Sequence, residues 1–565
     1  MVETQSKNGS EAPKLHADVC IVGGGPAGIT VALQLIGTDL EVVILESGGI
    51  DEQGDSQTLN QGSITGLPYY ELDETRYRGF GGASNLWAGW CRPLSEKDFE
   101  ARPWVTTPSW PISYDDVGPF YEDAARLCEL PDSDFTAHDE LPAVYKAPFI
   151  GNGVDVAVWK GSPPTKFGRV YRSALQDAPN VTIVPNATAV EVLTNNDGTV
   201  STGVRAVRST GTSMEVSAST VVLCAGAIET ARLLLASRSA KPQGLGNDHD
   251  LVGRHFMEHP HLVTARLDVL APGVTQRQLI SGIDRGMFGT QARLAMQRPK
   301  GSAKVAYVIS DDRRERDQLL NFSTHIRTVS KVDREDSEAY QAFKLVVNNL
   351  RSPTDLAKQV AGGAMPEGTS EQIARLGRGL PEIAQVVYQE ALKKPDELAL
   401  YTQCEQLPNP DSRITIDDTD LDAVGMPRVK LHWSLGRMDK ESVIGAHEVL
   451  AEQFAISGLG VLVPEPPFLT PDSDWGSGLR GGHHHMGTAR MADSARDGVV
   501  DRNGRVHNMN GLYVGDSAVF STSGFANPLL TIVALATRLG RHLANVQSRP
   551  AASATKPARA STAAS

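Results

Sequence analysis

Two groups of residues in this chain have the types and spacing to do chemistry. The first is Gly23-Gly24-Gly25-Pro26-Ala27-Gly28, which follows the β-branched run Val19-Cys20-Ile21-Val22 and opens an apolar helical stretch over 29–36. In a strand–turn–helix unit, Gly23 permits the tight turn, Gly25 lets the backbone approach a pyrophosphate, and Gly28 lets the helix pack close to the strand. The phosphates then rest against helix N-terminal N–H groups. A second apolar run, Val42–Leu45, ends in Glu46, an acid placed to accept hydrogen bonds from an adenosine ribose and to disfavour a 2′-phosphate. The second group is His483-His484-His485. In an extended segment alternate side chains face opposite ways, so at most His483 and His485 share a side. No third ligand stands at suitable spacing, and no metal site is expected.

The elements that must position these residues begin with a Rossmann-like α/β sheet. The glycine fingerprint does not by itself decide between NAD and FAD. A later stretch bears on that choice: Thr220-Val221-Val222-Leu223-Cys224-Ala225-Gly226-Ala227-Ile228-Glu229-Thr230, followed by the helical Ala231-Arg232-Leu233-Leu234-Leu235. A strand that returns to a glycine turn suggests a second approach of backbone to the cofactor. That suits a large flavin domain assembled from separated segments. Between 311 and 395 the chain is rich in charge, with helix-like spacing over 382–394 and breaks at Pro353, Gly362-Gly363 and Pro366. It reads as a helical excursion over a site or as a solvated insertion. Residues 1–13 and 546–565, the latter Ala/Ser/Pro-rich, are expected to be disordered.

Composition narrows the class. The 565 residues allow two large domains or one elaborated one. With 67 acidic against 54 basic residues and a net charge of −13, there is no electrostatic reason to expect nucleic acid or an anionic membrane surface as a partner. A 40% hydrophobic, 21% charged chain has ample core. Cys20, Cys91, Cys128, Cys224 and Cys404 are scattered with no CxxC pair, which disfavours a disulfide framework or structural zinc and fits a reducing compartment. The first fifteen residues lack an apolar core and no run of eighteen apolar residues occurs, so neither signal peptide nor membrane span is expected. The expected location is cytoplasmic.

Four stretches together resemble the glucose–methanol–choline (GMC) family of FAD oxidoreductases. Gly23, Gly25, Gly28 and Glu46 resemble its adenosine site. Arg78-Gly79-Phe80-Gly81-Gly82-Ala83-Ser84-Asn85-Leu86-Trp87 resembles its glycine-rich flavin loop. The stretch 226–230 resembles its second signature, and His484-His485-Met486-Gly487-Thr488, Gly515-Asp516 and Asn527-Pro528 resemble its C-terminal catalytic and flavin-binding block. Three further stretches (110–124, 253–261 and 405–416) are similar to the sugar-acting branch that includes pyranose oxidases, glucoside 3-dehydrogenases and C-glycoside 3-oxidases. Covalent-flavin members of that branch carry a histidine where this chain has Leu86, so the FAD is expected to be bound without a covalent link.

The resemblance implies a discontinuous FAD domain drawing on 14–100, 150–260 and 475–545. It also implies a substrate domain from 101–149 and 261–474 built on an antiparallel sheet, with the charged insertion near 311–395. It places Gly23, Gly25, Gly28, Glu46, Arg78, Gly81, Gly82, Ser84, Asn85, Trp87, Ala88, Val190, Ala225, Asp516, Asn527 and Pro528 at the cofactor, Val190 through its backbone toward adenine. It gives His484 as the base, since an imidazole near its reference pKa of about 6.5 can accept a hydroxyl proton. Asn527 is its partner, orienting the substrate oxygen. Pro528 would open a helix over 529–543 whose positive end faces the flavin where negative charge grows on reduction. His259 and His261, flanking Pro260, read equally as groups approaching the flavin or as parts of a structured turn. Trp87, Trp90 and Trp110 read as core or as stacking surfaces for a sugar.

The implied reaction is oxidation of a secondary hydroxyl of a sugar or glycoside, at C3 first and C2 second, with electrons passing to oxygen or a quinone-type acceptor. A sterol or polyol oxidase, a non-redox flavoprotein lyase and a nucleotide-binding module without catalysis are the alternatives. Oligomerisation is left open.

Overall fold

In the computed structural model, which describes residues 14–51, 55–136, 151–270, 303–329 and 397–547, the run around Val19 extends into strand β1 (Lys14–Val22). It starts ahead of the β-branched residues because it pairs in parallel with β9 (Ser213–Leu223) from Lys14 onward. On its other side lie β2 (Val42–Leu45) and then β6 (Val181–Val184), and β18 (Leu512–Val514) runs beside the end of β9, all parallel. β8 (Ser201–Arg208) and β7 (Ala187–Thr194) extend antiparallel from the first half of β9 and complete a seven-stranded sheet. The parallel strands are buried along most of their length, as strands covered on both faces must be.

The helix after the glycine turn spans Pro26–Leu35 and packs against the C-terminal helix Leu529–Gln547. Gly540 makes that approach possible, since a Cβ there would stand 2.7 Å from Gln34 Cβ and 3.1 Å from the Val31 carbonyl. Leu535, Ala536, Leu539 and Leu543 form the buried stripe of the C-terminal helix, with Ile532 partly buried beside them.

A second sheet of eight strands is antiparallel throughout, in the order β16 (Gly460–Pro464), β10 (Pro260–Val269), β13 (Glu397–Cys404), β12 (Phe322–Val329), β11 (Ala303–Ile309), β5 (Val154–Gly161), β4 (Trp90–Cys91), with β17 (Arg480–Gly481) also on β10. Its register sets His261 opposite Gln403 and Tyr401 opposite His325, so one face carries a row of polar and aromatic side chains. Strand β5 belongs here although the resemblance groups 150–260 with the FAD domain. A third sheet joins β14 (Arg413–Leu421), β15 (Pro427–Trp433) and β3 (Gly62–Gly66) and is met by helix Ala227–Ala236, whereas helix Arg437–Ile456 packs on β16 of the second sheet. In the charged region, Asp311–Arg316 is a short helix leading into β12, and the helix-like stretch 382–394 lies outside the described residues. Among the described residues no helix is long and apolar enough to cross a membrane. All five cysteines are buried and free.

Candidate active site

At the end of β1 the chain turns on Gly23 (φ +107°), where a Cβ would lie 2.5 Å from the Cys224 carbonyl oxygen. One on Gly28 would lie 2.0 Å from the Gly23 oxygen, so only hydrogen fits at either position. Gly25 caps helix Pro26–Leu35 with no side-chain hydrogen bond, and the nearest atom to a Cβ there is Gly82 Cα at 3.8 Å. The first N–H groups of that helix are thus left without a side-chain acceptor, the arrangement that holds a phosphate. Glu46, at the end of β2, accepts the Gly24 N–H through Oε2 and the Gly48 N–H through Oε1, both at 2.8 Å. Burial raises its pKa, with the two N–H groups and Arg78 opposing.

The second turn, Cys224-Ala225-Gly226, stands beside the first, with Ala225 Cα 3.1 Å from where a Gly23 Cβ would be. Gly226 donates its N–H to Asp516 Oδ2 at 2.8 Å, Thr230 donates its hydroxyl to the same oxygen at 2.7 Å, and Asp516 Oδ1 accepts the Ala518 N–H at 2.8 Å. The Asp516 carboxylate thus ties the second turn to the C-terminal block. Val190 sits where the β7–β8 register shifts between Ala189 and Glu191.

The glycine-rich loop over 78–87 meets the turn at Gly23 backbone to backbone. The Gly81 N–H donates to the Gly24 carbonyl at 2.7 Å, and a Cβ on Gly82 would come within 2.9 Å of Gly25 Cα. Ser84 donates to the Gly81 carbonyl at 2.6 Å and accepts the Phe167 N–H at 3.1 Å. Asn85 donates to the Phe80 carbonyl at 3.1 Å, and the Trp87 indole donates to the Thr165 carbonyl at 3.0 Å. Leu86 and Ala88 are exposed. Arg78 turns inward, donating to Asn60, Ser47 and Glu229 at 2.7, 2.9 and 2.6 Å. Burial alone would raise the Glu229 pKa, but Arg78, Arg232 and Arg76 hold it far below the usual carboxylate range.

The three histidines diverge. His483 (φ +58°) stacks on Tyr70 with ring centroids 4.4 Å apart, and His485 Nε2 lies 2.8 Å from the Tyr69 hydroxyl. His484 Nε2 stands 3.0 Å from Asn527 Nδ2, and its Nδ1 stands 2.9 Å from His259 Nδ1. Gly482 admits this convergence, since a Cβ on it would approach His484 Nδ1 to 2.7 Å and His261 Nε2 to 2.9 Å. Burial, then His259, His261, His483 and His485, push the His484 pKa well below 6.5, so the ring is more firmly neutral than its ordinary value implies. Asn527 Oδ1 accepts the Trp159 indole N–H at 3.0 Å, and Pro528 opens the C-terminal helix, its carbonyl accepting the Ile532 N–H at 2.9 Å. Among the described residues no group of three or more His, Cys, Asp or Glu is gathered for a metal.

Glu258 holds this end together. Its buried carboxylate accepts the N–H groups of His259, Gly482 and His484 at 2.9–3.0 Å on Oε2, and the Tyr69 hydroxyl on Oε1. Burial lifts its pKa to about 7 against those bonds. His259 faces His484, whereas His261 meets the Tyr401 hydroxyl at 3.2 Å and keeps a buried Nε2 without a partner among the described residues. Trp110 is core, donating to Thr522 at 2.8 Å between Phe99 and Phe520. Trp90 packs with Trp159 and Phe525. Sequence reasoning missed Glu258, Trp159, Gln403 and Tyr69. The run Glu258-His259-Pro260-His261 was the one local signal, and it advertised its histidines more than its acid.

Residues 18–249 match the family model described as FAD dependent oxidoreductase, and 408–536 match GMC oxidoreductase. The fructose dehydrogenase large subunit of Gluconobacter japonicus is 22% identical over 94% of this chain and 98% of that protein. The 2-methyl-1,2-propanediol dehydrogenase of Mycolicibacterium austroafricanum is 24% identical over 94% and 95%. The C-glycoside 3-oxidase of Arthrobacter globiformis is 30% identical over 36% of this chain and 40% of that protein. The pyridoxine 4-oxidase structure from Mesorbium loti superposes with a TM-score of 0.56 at 18% identity, covering 93% of this chain and 98% of that one. The open helix N-terminus at Gly25, the acid closing β2, the apposed glycine loops and the His484–Asn527 pair fit a flavin dinucleotide beside an alcohol. With both family models matching the segments that carry these features, the chain is an FAD-dependent oxidoreductase of the glucose–methanol–choline family.

Proposed function

We propose that this enzyme oxidises a secondary hydroxyl of a sugar or glycoside to a ketone, C3 ahead of C2, using non-covalently bound FAD. One observation carries the chemistry: His484 Nε2 and the Asn527 amide stand 3.0 Å apart, so one hydroxyl oxygen can meet both a neutral base and a donor. His484 Nε2 takes the hydroxyl proton, and the Asn527 N–H steadies the oxygen while it becomes a carbonyl. When bound, FAD supplies the hydride acceptor. Glu46 would hold the ribose, Val190 the adenine through its backbone, Gly25, Ala225 and Gly226 the pyrophosphate, and Gly81, Gly82, Ser84 and Asn85 the flavin. Trp87 and Asp516 brace those loops from behind, and Arg78 does so through Glu229. Pro528 opens the helix whose N-terminus would favour the negative charge that grows on the flavin. Leu86 offers no nucleophilic atom for a covalent link.

The substrate wall supports a polyhydroxylated ligand. Among the described residues His261 Nε2 has no partner beside His484, with Tyr401 and His325 on the same sheet face. The sugar reading draws on the names of the fructose dehydrogenase and C-glycoside 3-oxidase relatives, and the propanediol dehydrogenase supports a non-sugar alcohol as the second reading. Anaerobic mixing with glucose, an O-glucoside, a C-glucoside and non-sugar alcohols, followed by flavin absorbance, separates the two. Bleaching by glycosides is expected, and readmitted air then tests oxygen against a quinone as acceptor. Bleaching by non-sugar alcohols alone would overturn the substrate, and none by any alcohol would favour lyase chemistry.

A further inference from the structure

The hydrogen bonds through the catalytic pair have a direction, because both ends of the chain they form are fixed. At one end the Trp159 indole can only donate, so the atom of Asn527 that faces it at 3.0 Å is the carbonyl oxygen, and the amide NH₂ is turned to His484 Nε2. His484 Nε2 must then be the unprotonated nitrogen, and the ring hydrogen sits on Nδ1. At the other end the Ser523 carbonyl can only accept, and it lies 3.2 Å from His259 Nε2, which places the His259 hydrogen on Nε2 and leaves its Nδ1 as an acceptor. That acceptor faces His484 Nδ1 at 2.9 Å. A third anchor agrees: Gln403 gives its amide NH₂ to the Phe525 carbonyl at 2.6 Å, and the same nitrogen is 3.4 Å from His259 Nδ1. Two donors therefore converge on that nitrogen.

We infer that His259 is a positioning residue that fixes the tautomer of His484, keeping its hydrogen on Nδ1 so that the Nε2 lone pair is always presented to the substrate hydroxyl. Which ring nitrogen of a neutral histidine carries the proton is set by the partner of the other. Without an acceptor at Nδ1, the hydrogen is free to settle on Nε2, where it would oppose the substrate O–H donor to donor. Asn527 opposes a hydrogen on Nε2 from the other side but gives Nδ1 no acceptor, and the remaining groups facing His484 cannot replace His259. His261 reaches it from β10 with its ring centroid 5.9 Å away, and Glu258 engages the His484 backbone N–H. His485 is committed to Tyr69, and His483 to Tyr70.

This inference rests on the proposed role of His484 as base, and the test keeps the two apart. Nitrogen-15 NMR of histidine-labelled holoenzyme, with His484 assigned through His484→Ala, should show a pyrrole-type nitrogen at Nδ1 and a pyridine-type nitrogen at Nε2. The reverse pattern in the wild-type protein overturns the inference without any need for a His259 variant to fold. In His259→Leu, where only Asn527 still opposes a hydrogen on Nε2, the pattern should shift toward a mixture of the two tautomers, with flavin reduction at saturating substrate slowed roughly 10- to 100-fold, less than for loss of the base, and KM little changed. His259→Asn, whose Oδ1 can accept the Nδ1 hydrogen, should recover most of the rate. A His259→Leu enzyme that holds FAD and keeps both tautomer and rate overturns the inference. If His484→Ala itself reduces its flavin normally, it is the base assignment that fails.

Discussion

The turn at Gly23 and the turn at His484 serve the two ends of one site, and they are built by opposite means. At the nucleotide end backbone meets backbone: the Gly81 N–H reaches the Gly24 carbonyl at 2.7 Å, and added Cβ atoms at Gly23, Gly28 or Gly82 would sit within 2.0–2.9 Å of main-chain atoms. Side chains there mostly brace the loops, as Asp516 and Glu229 do. At the proton-transfer end the ordering runs from side chain to side chain, through Trp159, Asn527, His484 and His259, and only its last acceptor, the Ser523 carbonyl, is backbone. The first construction depends on the absence of atoms. The second depends on particular donors and acceptors and should tolerate isosteres that preserve them.

Substitutions at the two ends test that contrast. His484→Ala should have the largest effect, slowing flavin reduction by about 10²–10⁴-fold, or roughly 3–5 kcal/mol of barrier, while FAD stays bound. Stopped-flow reduction and the protein's flavin-to-protein absorbance ratio would show whether chemistry and cofactor binding separate in this way. Gly28→Ala should do the opposite, costing about 3 kcal/mol of stability and releasing FAD, because its Cβ meets a main-chain oxygen that cannot move aside. Thermal melts and bound-flavin stoichiometry would report it, and a stable, fully loaded Gly28→Ala protein would contradict the backbone account.

Glu258 gives a pH test. Its pKa is raised from 4.5 to about 7 by burial, so the folded protein holds a proton that the unfolded chain has already released. Stability contributed by that proton is complete below about pH 4.5 and is lost as pH rises toward 7. At about 1.4 kcal/mol per pKa unit this amounts to roughly 3 kcal/mol. Glu258→Gln keeps an oxygen for the three N–H groups and cannot titrate, so urea denaturation at several pH values should show a flatter profile across that window. The smallest effect is expected for Trp110→Phe, which loses one hydrogen bond to Thr522 and about 1 kcal/mol, with KM unchanged. A raised KM would restore Trp110 as a substrate contact.

The same contrast explains what could be read from the chain alone. Gly23, Gly25, Gly28 and Glu46 fall within two dozen residues, and the strand, turn and helix they require are dictated by local sterics. Resemblance added Asn527 to His484. Trp159 and Gln403 stayed hidden because each lies on a strand buried along nearly its whole length, where nothing local marks it out, and its meaning comes from a partner more than a hundred residues away. His259 was visible as a histidine, yet its orientation toward His484 depends on how β10 meets the loop at Gly482. The expectation of an ordinary pKa for His484 failed for the same reason, since burial and neighbouring histidines are tertiary facts.

The Glu258 carboxylate also bears on how members of this fold could be recombined. It binds residues from three stretches of the chain, at Tyr69, at His259 and at Gly482 with His484, and so joins the start of β10 in the eight-stranded sheet to the loop that carries His484, the proposed base. A chimera that takes a substrate sheet from another protein would inherit its β10 and β5 along with its specificity. It would keep a working proton-transfer end only if the incoming strands also supplied an acid, a histidine and an indole at the positions of Glu258, His259 and Trp159. The practical unit of exchange is therefore the sheet together with its catalytic loops.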